Sequence, residues 1–414
     1  MKLVKLNVSQ FDNFAKSHRY RNYFQSSKYA NIMIKFGYHT KLLGFVNDQN
    51  SLIGATLIIY KNVFMGNKVA YAPRGILFNY ENEAAVKEMT LLLKKSLKKQ
   101  GFMLLRIDPY IPINIRDSEG NIMNFNNKAN AITENLKNAG FIYKGKTLYF
   151  ETEKPRWEAL ILLQRDIREI FAKVDKRTRN KIRRAKNSGI EIIKDNNKAI
   201  DQLYEFIGDK EKKPLSYYKA ISKEFSDNID IYYAKINTEI FLINSRRNYE
   251  KELEYNESLA ERVQDTSQSE KDRNTYLNKK MESDKLITVY KNNLLKATEL
   301  LKTRPEGIII AGSMIIKYDN AAYLIVEGID NKYRHLNPNY LIKWQAITDY
   351  NAEGLKYINL NGITGDFENQ NEYSGLNESK LGFNSTITEY IGEFDIILNK
   401  LAYNWYIKMN KNTK

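Results

Sequence analysis

Apolar residues fall along this chain in two patterns, short β-rich runs and stretches of period close to 3.6. Lys41–Val46 and Ser51–Tyr60 show the first, and the polar run Asn47-Asp48-Gln49-Asn50 between them predicts a hairpin turn. Glu81–Lys99 follows the second, with Ala85, Met89, Leu92, Leu93 and Leu97 at helical spacing and a lysine-rich end that suits the helix dipole. Phe102–Ile107 is a short apolar run closed by Asp108-Pro109 and predicts a buried strand. Strands alternating with helices imply an α/β layered unit.

A second stretch repeats this order. It predicts helix Ile167–Asn187, strand Ile190–Ile193, helices Ala199–Ile207 and Ser216–Phe225, and strand Ile229–Ala234. After an interruption come strands Gly307–Tyr318 and Ala321–Glu327, helix Pro338–Glu353 and strand Tyr357–Leu360. Two units of similar order suggest a duplicated module, although no residue-level repeat is visible.

The interruption contains neither glycine nor proline between Pro214 and Pro305. Tyr249, Leu253, Asn256, Ala260 and Val263 step by four and three, as do Ile287, Tyr290, Leu294, Ala297 and Leu301. These are heptad seams on two otherwise polar helices, with Thr266–Lys271 as the turn of an antiparallel hairpin. An amphipathic pair lying on the domain core is the plainer alternative; the narrow seams favour a protruding arm.

Composition narrows the chemistry. The 414 residues include 65 Lys+Arg against 49 Asp+Glu, a formal charge of +16, with three His and no Cys. Without cysteine there is no disulfide scaffold, thiolate metal site or Cys nucleophile, and three scattered histidines argue against a metal centre. The positive balance favours polyanionic partners, although abundant Lys, Asn, Ile and Tyr also fit a codon bias. The start of the chain lacks the apolar run of a signal peptide, and apolar runs such as Ala55–Tyr60 and Ile308–Ala311 are far too short to span a bilayer. The expectation is a soluble, cytoplasmic protein.

Two clusters are candidates for function. From Arg165 to Lys186 there are ten basic and three acidic residues, with Gly189 placed as a helix C-cap. Such a helix tracks a phosphate backbone, or is a solvated basic face. The second cluster comprises Tyr340, Trp344, the segment Asn361–Phe367, Lys380-Leu381-Gly382-Phe383 and Glu389-Tyr390. Gly362 and Gly365 allow close backbone approach, and Lys380 could meet a developing oxyanion. Asp108 and Asp366 are candidate bases without an identified partner. No phosphate loop, dinucleotide fingerprint, HExxH or GxSxG motif is present.

Taken together, the blocks FDNF…YFQSSKYA…FGY, AYAPRGILFNYEN, RIDPYIP, DKRTRNKIRRAKNSGIEI, YRHLNPNYLIKWQAITDYNAEGLKYINLNGITGDF and KLGFNSTITEYIGEF give the chain a resemblance. It resembles the Fem family of bacterial peptidoglycan interpeptide-bridge aminoacyltransferases (FemA, FemB and FemX type), over nearly its whole length. The resemblance implies an α/β fold of two GNAT-like acyltransferase domains, with the antiparallel coiled-coil hairpin inserted in the second. The first would span 1–150, the second 151–245 and 306–414 with its C-terminal end packing back on the first, and the arm 246–305. It further implies transfer of glycine, serine or alanine from aminoacyl-tRNA to an amine of a lipid-linked or UDP-linked muropeptide such as lipid II. The partners would be that tRNA and muropeptide, the inner face of the membrane and related Fem-type enzymes; no cofactor and no metal are implied.

Residue by residue, Lys380 matches the lysine that neutralises the carbonyl oxygen of the tetrahedral intermediate, and Tyr340 and Tyr218 match tyrosines lining the site. Lys181, Arg183 and Arg184 of the basic helix are the expected tRNA contacts. The family's diphosphate-holding lysine and arginine fall at Met33 and Pro214 here, with Lys35 and Lys213 as neighbours able to substitute only after a shift. On a helix, a two-residue offset points elsewhere. These departures leave open a diverged paralogue that alters the bridge's composition, or a non-catalytic tRNA-binding scaffold.

Overall fold

The β-rich segments become two mixed sheets in the computed structural model, which describes residues 1–195, 200–208, 213–368 and 371–411. In chain order the strands are β1 (Lys2–Lys5), β2 (His39–Val46), β3 (Leu52–Asn62), β4 (Lys68–Ala72), β5 (Phe102–Ile107), β6 (Pro112–Arg116), β7 (Ile122–Phe125) and β8 (Ile142–Tyr143). They continue with β9 (Trp157–Leu162), β10 (Ile190–Lys194), β11 (Ile229–Ile236), β12 (Ile308–Tyr318), β13 (Ala321–Ile329), β14 (Tyr357–Ile363), β15 (Thr386–Tyr390) and β16 (Phe394–Ile397).

The first sheet has the order β1-β2-β3-β4-β5-β16-β8, and the second β10-β11-β12-β13-β14-β9-β15-β6-β7. Among the described residues, only the β4–β5 and β13–β14 pairs are parallel. The sheets do not follow chain order. β6 and β7, early in the chain, extend the second sheet beside β15, whereas β16 crosses back to pair with β5 in the first.

Local chemistry explains where elements begin and end. The β2–β3 hairpin turns as expected: the Asn47 side chain accepts from the amides of Gln49 and Ser51 at 3.1 and 2.8 Å, and Asn50 takes a left-handed φ of 61°. The expected helix over 167–187 is instead two helices, Ile167–Lys173 and Lys176–Asn187. Asp175 breaks it. Its carboxylate caps the amides of Arg177 and Thr178 at 2.8 and 2.9 Å, and its own amide donates to Gly382 O at 2.9 Å. A residue making those bonds cannot also continue the preceding helix. The helix expected from Ala199 begins at Ile200; Ala199 lies outside the described residues.

The proline-free stretch folds as two long helices, Thr238–Gln264 and Glu270–Thr303, joined by a short turn that Asp265 and Ser269 cap. Of the seam positions Ala297 is buried and the others are half-buried, while the buried residues of the long helices also include Leu259, one place before Ala260, and Ser283. Ser283 donates to Glu252 at 2.6 Å and Asn256 to Asp284 at 2.8 Å. At the base, Thr238 donates to Arg304 O at 3.1 Å, so both helices leave the second sheet together.

Candidate functional site

Each sheet carries one of the regions the sequence singled out, and a buried polar network joins them. On the second sheet, β14 and β9 lose register between Asn359 and Gly362, where Asn361 adopts a φ of 69°. This bulge turns the Gly362 carbonyl toward the helix Ser374–Leu381. Lys380, in the last turn of that helix and only 7% exposed, donates from Nζ to Gly362 O at 2.7 Å. Asn377 holds the helix in place by exchanging bonds with Thr364: its Oδ1 accepts from the Thr364 amide at 3.0 Å and its Nδ2 donates to Thr364 Oγ1 at 2.8 Å.

Gly382 follows because nothing larger fits. A Cβ there would run into Thr178 Oγ1 and Asp175, at the start of the basic helix Lys176–Asn187. The Lys380 helix and the basic helix are therefore packed end to end. Lys181 bridges them, donating to Glu378 at 2.7 Å and to the Tyr340 hydroxyl at 2.9 Å. Tyr340 in turn stacks on Phe383, with ring centroids 6.0 Å apart. Lys380, Tyr340 and Lys181 thus share one neighbourhood, which joins two clusters that the sequence left separate. Lys181 is partly spent inside the protein, whereas Arg183 and Arg184 are exposed, Arg183 lying over the Phe171 ring.

The second region is a cavity of about 450 Å³ against the first sheet. Its wall includes Met33 from the helix Ser27–Lys35, Lys61 from β3, Lys154, the corner Lys213-Pro214, and Tyr217 from the helix Leu215–Glu224. Both positions at which a diphosphate clamp was expected, 33 and 214, are in this wall. Lys213 is there too. Lys35 is not: one half-turn beyond Met33, it pairs with Glu224 at 2.6 Å on the outer side of the two helices. Tyr218 is buried in the core rather than in the wall. Its hydroxyl accepts from the Lys213 amide at 3.3 Å and so holds the corner, while the preceding Tyr217 faces the cavity.

Sequence reading missed Lys61 and Lys154. Lys61 lies 4.0 Å from the Tyr38 ring centroid and Lys154 4.0 Å from that of Phe24, so each ammonium is steered by an aromatic face. Burial pushes the Lys154 ammonium down to about 8, with Asp108 opposing and Arg74 assisting. Three lysines and one carboxylate, Glu153, thus share a tyrosine-lined cavity, and the softened Lys154 makes its charge dependent on pH.

Behind this cavity lies the network between the sheets. Arg74, with a φ of 52° and 2% exposed, donates from its amide to Asp108 at 2.6 Å and from its guanidinium to Glu158 at 2.5 Å. Tyr110 and Tyr390, stacked at 4.5 Å, both donate to Glu158 Oε2, at 2.9 and 3.0 Å, as does Asn359 at 2.7 Å. Burial raises Asp108 to about 6 despite Arg74. Its role here is to tie β5's end to the Arg74 loop; Asp366 accepts from the Tyr149 hydroxyl at 2.6 Å.

Comparison with known proteins bears on this arrangement. The model of the FemAB family matches residues 6–411. "Aminoacyltransferase FemA" of Staphylococcus epidermidis is 25% identical, with all of both chains covered. A "Lipid II:glycine glycyltransferase" of the same species is 24% identical, covering 97% of this chain and 94% of the relative. Among solved structures, FemX superposes with a TM-score of 0.73 at 20% identity, over 98% of this chain and 99% of the other.

Proposed function

This chain belongs to the FemAB family, and on that premise we propose that it builds the peptidoglycan interpeptide bridge by moving glycine, or serine or alanine, from aminoacyl-tRNA to an amine of lipid II or a related muropeptide. The relatives of the preceding paragraph support the reaction class: the chain is an aminoacyltransferase. The observation that carries the substrate assignment is the lysine-walled cavity, which contains positions 33, 213 and 214.

In this reading the acceptor's diphosphate lies against Lys61, Lys154 and Lys213, in place of the lysine and arginine that Met33 and Pro214 have replaced. Point-charge lysines neutralise a diphosphate without the bidentate geometry of arginine, so several are needed. Tyr217 supplies a flat wall; Tyr218 positions the Lys213 corner. The acceptor amine attacks the ester carbonyl of the aminoacyl-tRNA, a C–N bond forms, and the ribose hydroxyl leaves with the proton the amine gives up. Lys380 stabilises the negative oxygen of the tetrahedral intermediate from the strand end at Gly362, with Tyr340 beside it. Arg183 and Arg184 track the tRNA backbone. Aminolysis of an activated ester needs positioning more than a side-chain nucleophile.

We further take the chain as two GNAT-like units, 1–150 and 151–245 with 306–414, and an arm at 246–305, the units exchanging strands β6, β7 and β16. Work at the inner membrane surface and contact with related Fem-type enzymes belong to the same proposal. No helix among the described residues is long and apolar enough to cross a membrane.

The test is kinetic. Lys154→Met and Lys213→Met should each raise the KM for the muropeptide about tenfold, the worth of one charge-assisted contact, while leaving the KM for aminoacyl-tRNA unchanged. An unchanged acceptor KM in the double variant would remove the cavity from the account.

A further inference from the structure

Two adjoining surface segments leave large apolar side chains in solvent. In the turn between β3 and β4, Met65 is 92% exposed and Val63 is also exposed. On the terminal helix Lys400–Lys411, Leu401 and Trp405 are 78% and 65% exposed. The opposite side of that helix is anchored: Ala402, Tyr403 and Tyr406 pack with Met103, Leu104 and Val69, and with Phe64 from the turn. The turn and the helix therefore form one surface. At 100° per residue, Leu401, Trp405 and Lys408 fall within a single outward stripe.

The two segments themselves carry charge of one sign. Segments 61–68 and 400–411 contain no acidic residue, and Lys400 and Lys408 flank the exposed apolar side chains of the helix, with Asp395 and Glu153 on the inner side toward Tyr403 and the cavity. The surface also runs into the cavity, because Val63, Val69 and Tyr406 are part of the cavity wall.

We propose that this surface docks the protein on a bilayer bearing anionic headgroups. Met65, Leu401 and Trp405 enter the boundary between headgroups and acyl chains, and Lys400 and Lys408 meet lipid phosphates. Tryptophan with flanking lysines is the side-chain set that such a boundary selects, and an amphipathic helix lying flat presents it. Aliphatic Met65 and Leu401 have no stacking role on nucleic-acid bases, so the same charges favour lipid over RNA. The consequence rests on the proposed function: the cavity mouth then lies at the membrane surface, at the height where a lipid-linked acceptor carries its diphosphate.

The experiment is co-sedimentation of the full chain with vesicles of phosphatidylglycerol and phosphatidylcholine, against phosphatidylcholine alone, with no muropeptide present. The wild type should sediment with the anionic vesicles and be released by salt. Met65→Ser/Leu401→Ser/Trp405→Ser should lower partitioning about tenfold or more through lost apolar burial. Lys400→Gln/Lys408→Gln should lower it about fivefold per lysine. Transfer to a soluble nucleotide-linked acceptor should remain at the wild-type rate in both variants, which controls for folding.

Absence of wild-type binding to anionic vesicles, or equal binding by the triple variant, overturns the docking proposal. So does loss of tRNA binding, rather than vesicle binding, in the triple variant, which would make this a nucleic-acid surface. Vesicle binding without any aminoacyl transfer would leave docking standing and overturn the proposed function instead.

Discussion

Lys380→Met separates a catalytic lysine from a structural one. The side chain is 7% exposed and its ammonium donates to Gly362 O at 2.7 Å. Methionine fills nearly the same length but leaves that carbonyl without this donor, a loss of roughly 1–3 kcal/mol for a buried acceptor. Against a total stability of about 5–15 kcal/mol, such a loss leaves most molecules folded. Removing a charge that stabilises an oxyanion, by contrast, costs about 100- to 1000-fold in kcat, or roughly 2.7–4 kcal/mol. The two effects are read separately, by urea unfolding and by single-turnover transfer from aminoacyl-tRNA. The expected result is a lowered urea midpoint, a folded far-UV spectrum and a kcat down at least 100-fold, with Lys380→Arg intermediate. A Lys380→Met enzyme within threefold of the wild-type rate would refute the oxyanion role. A rate loss that merely tracked the unfolded fraction would assign Lys380 to the fold.

Other expectations follow from the same geometry. Arg74→Met strands the buried carboxylates of Asp108 and Glu158 and should cost about 3–5 kcal/mol in urea unfolding, with much of it recovered in Arg74→Met/Glu158→Gln. Lys154 loses its charge as pH rises through about 8, so the acceptor KM should climb between pH 7 and 9; Lys154→Met should show a high KM without that step, and a wild-type KM flat over this range would contradict the cavity's electrostatics. Arg183→Glu/Arg184→Glu should weaken tRNA binding and flatten its dependence on log salt by about 0.7–0.9 per lost phosphate contact; an unchanged slope would return the basic helix to the role of a solvated face.

Much of this was legible in one dimension. The β2–β3 hairpin and the two long proline-free helices are local patterns, and local patterns survive into the fold. Asp175 shows where such reading fails: the basic run looks like one helix until an N-cap and a bond to Gly382, over two hundred residues away, divide it. The crossing of β6 and β7 into the second sheet, and of β16 into the first, leaves no periodic trace, because strand partners are chosen by long-range burial. The site splits in the same way. Lys380 and Tyr340 came from contiguous motifs. Lys61 and Lys154 did not, since nothing in their neighbourhoods announces a cavity assembled from residues 29 to 406. The angle between successive helical side chains also decided two assignments, turning Tyr217 rather than Tyr218, and Met33 rather than Lys35, toward the cavity.

The central claim is that this protein joins an amino acid to a muropeptide amine. Its most direct measurement is transfer of label from charged glycyl-, seryl- and alanyl-tRNA to lipid II, both unmodified and already carrying glycine. The account predicts covalent incorporation from at least one donor, abolished by prior deacylation of the tRNA. No incorporation from any donor onto either acceptor, by a folded protein that still binds tRNA, would contradict it.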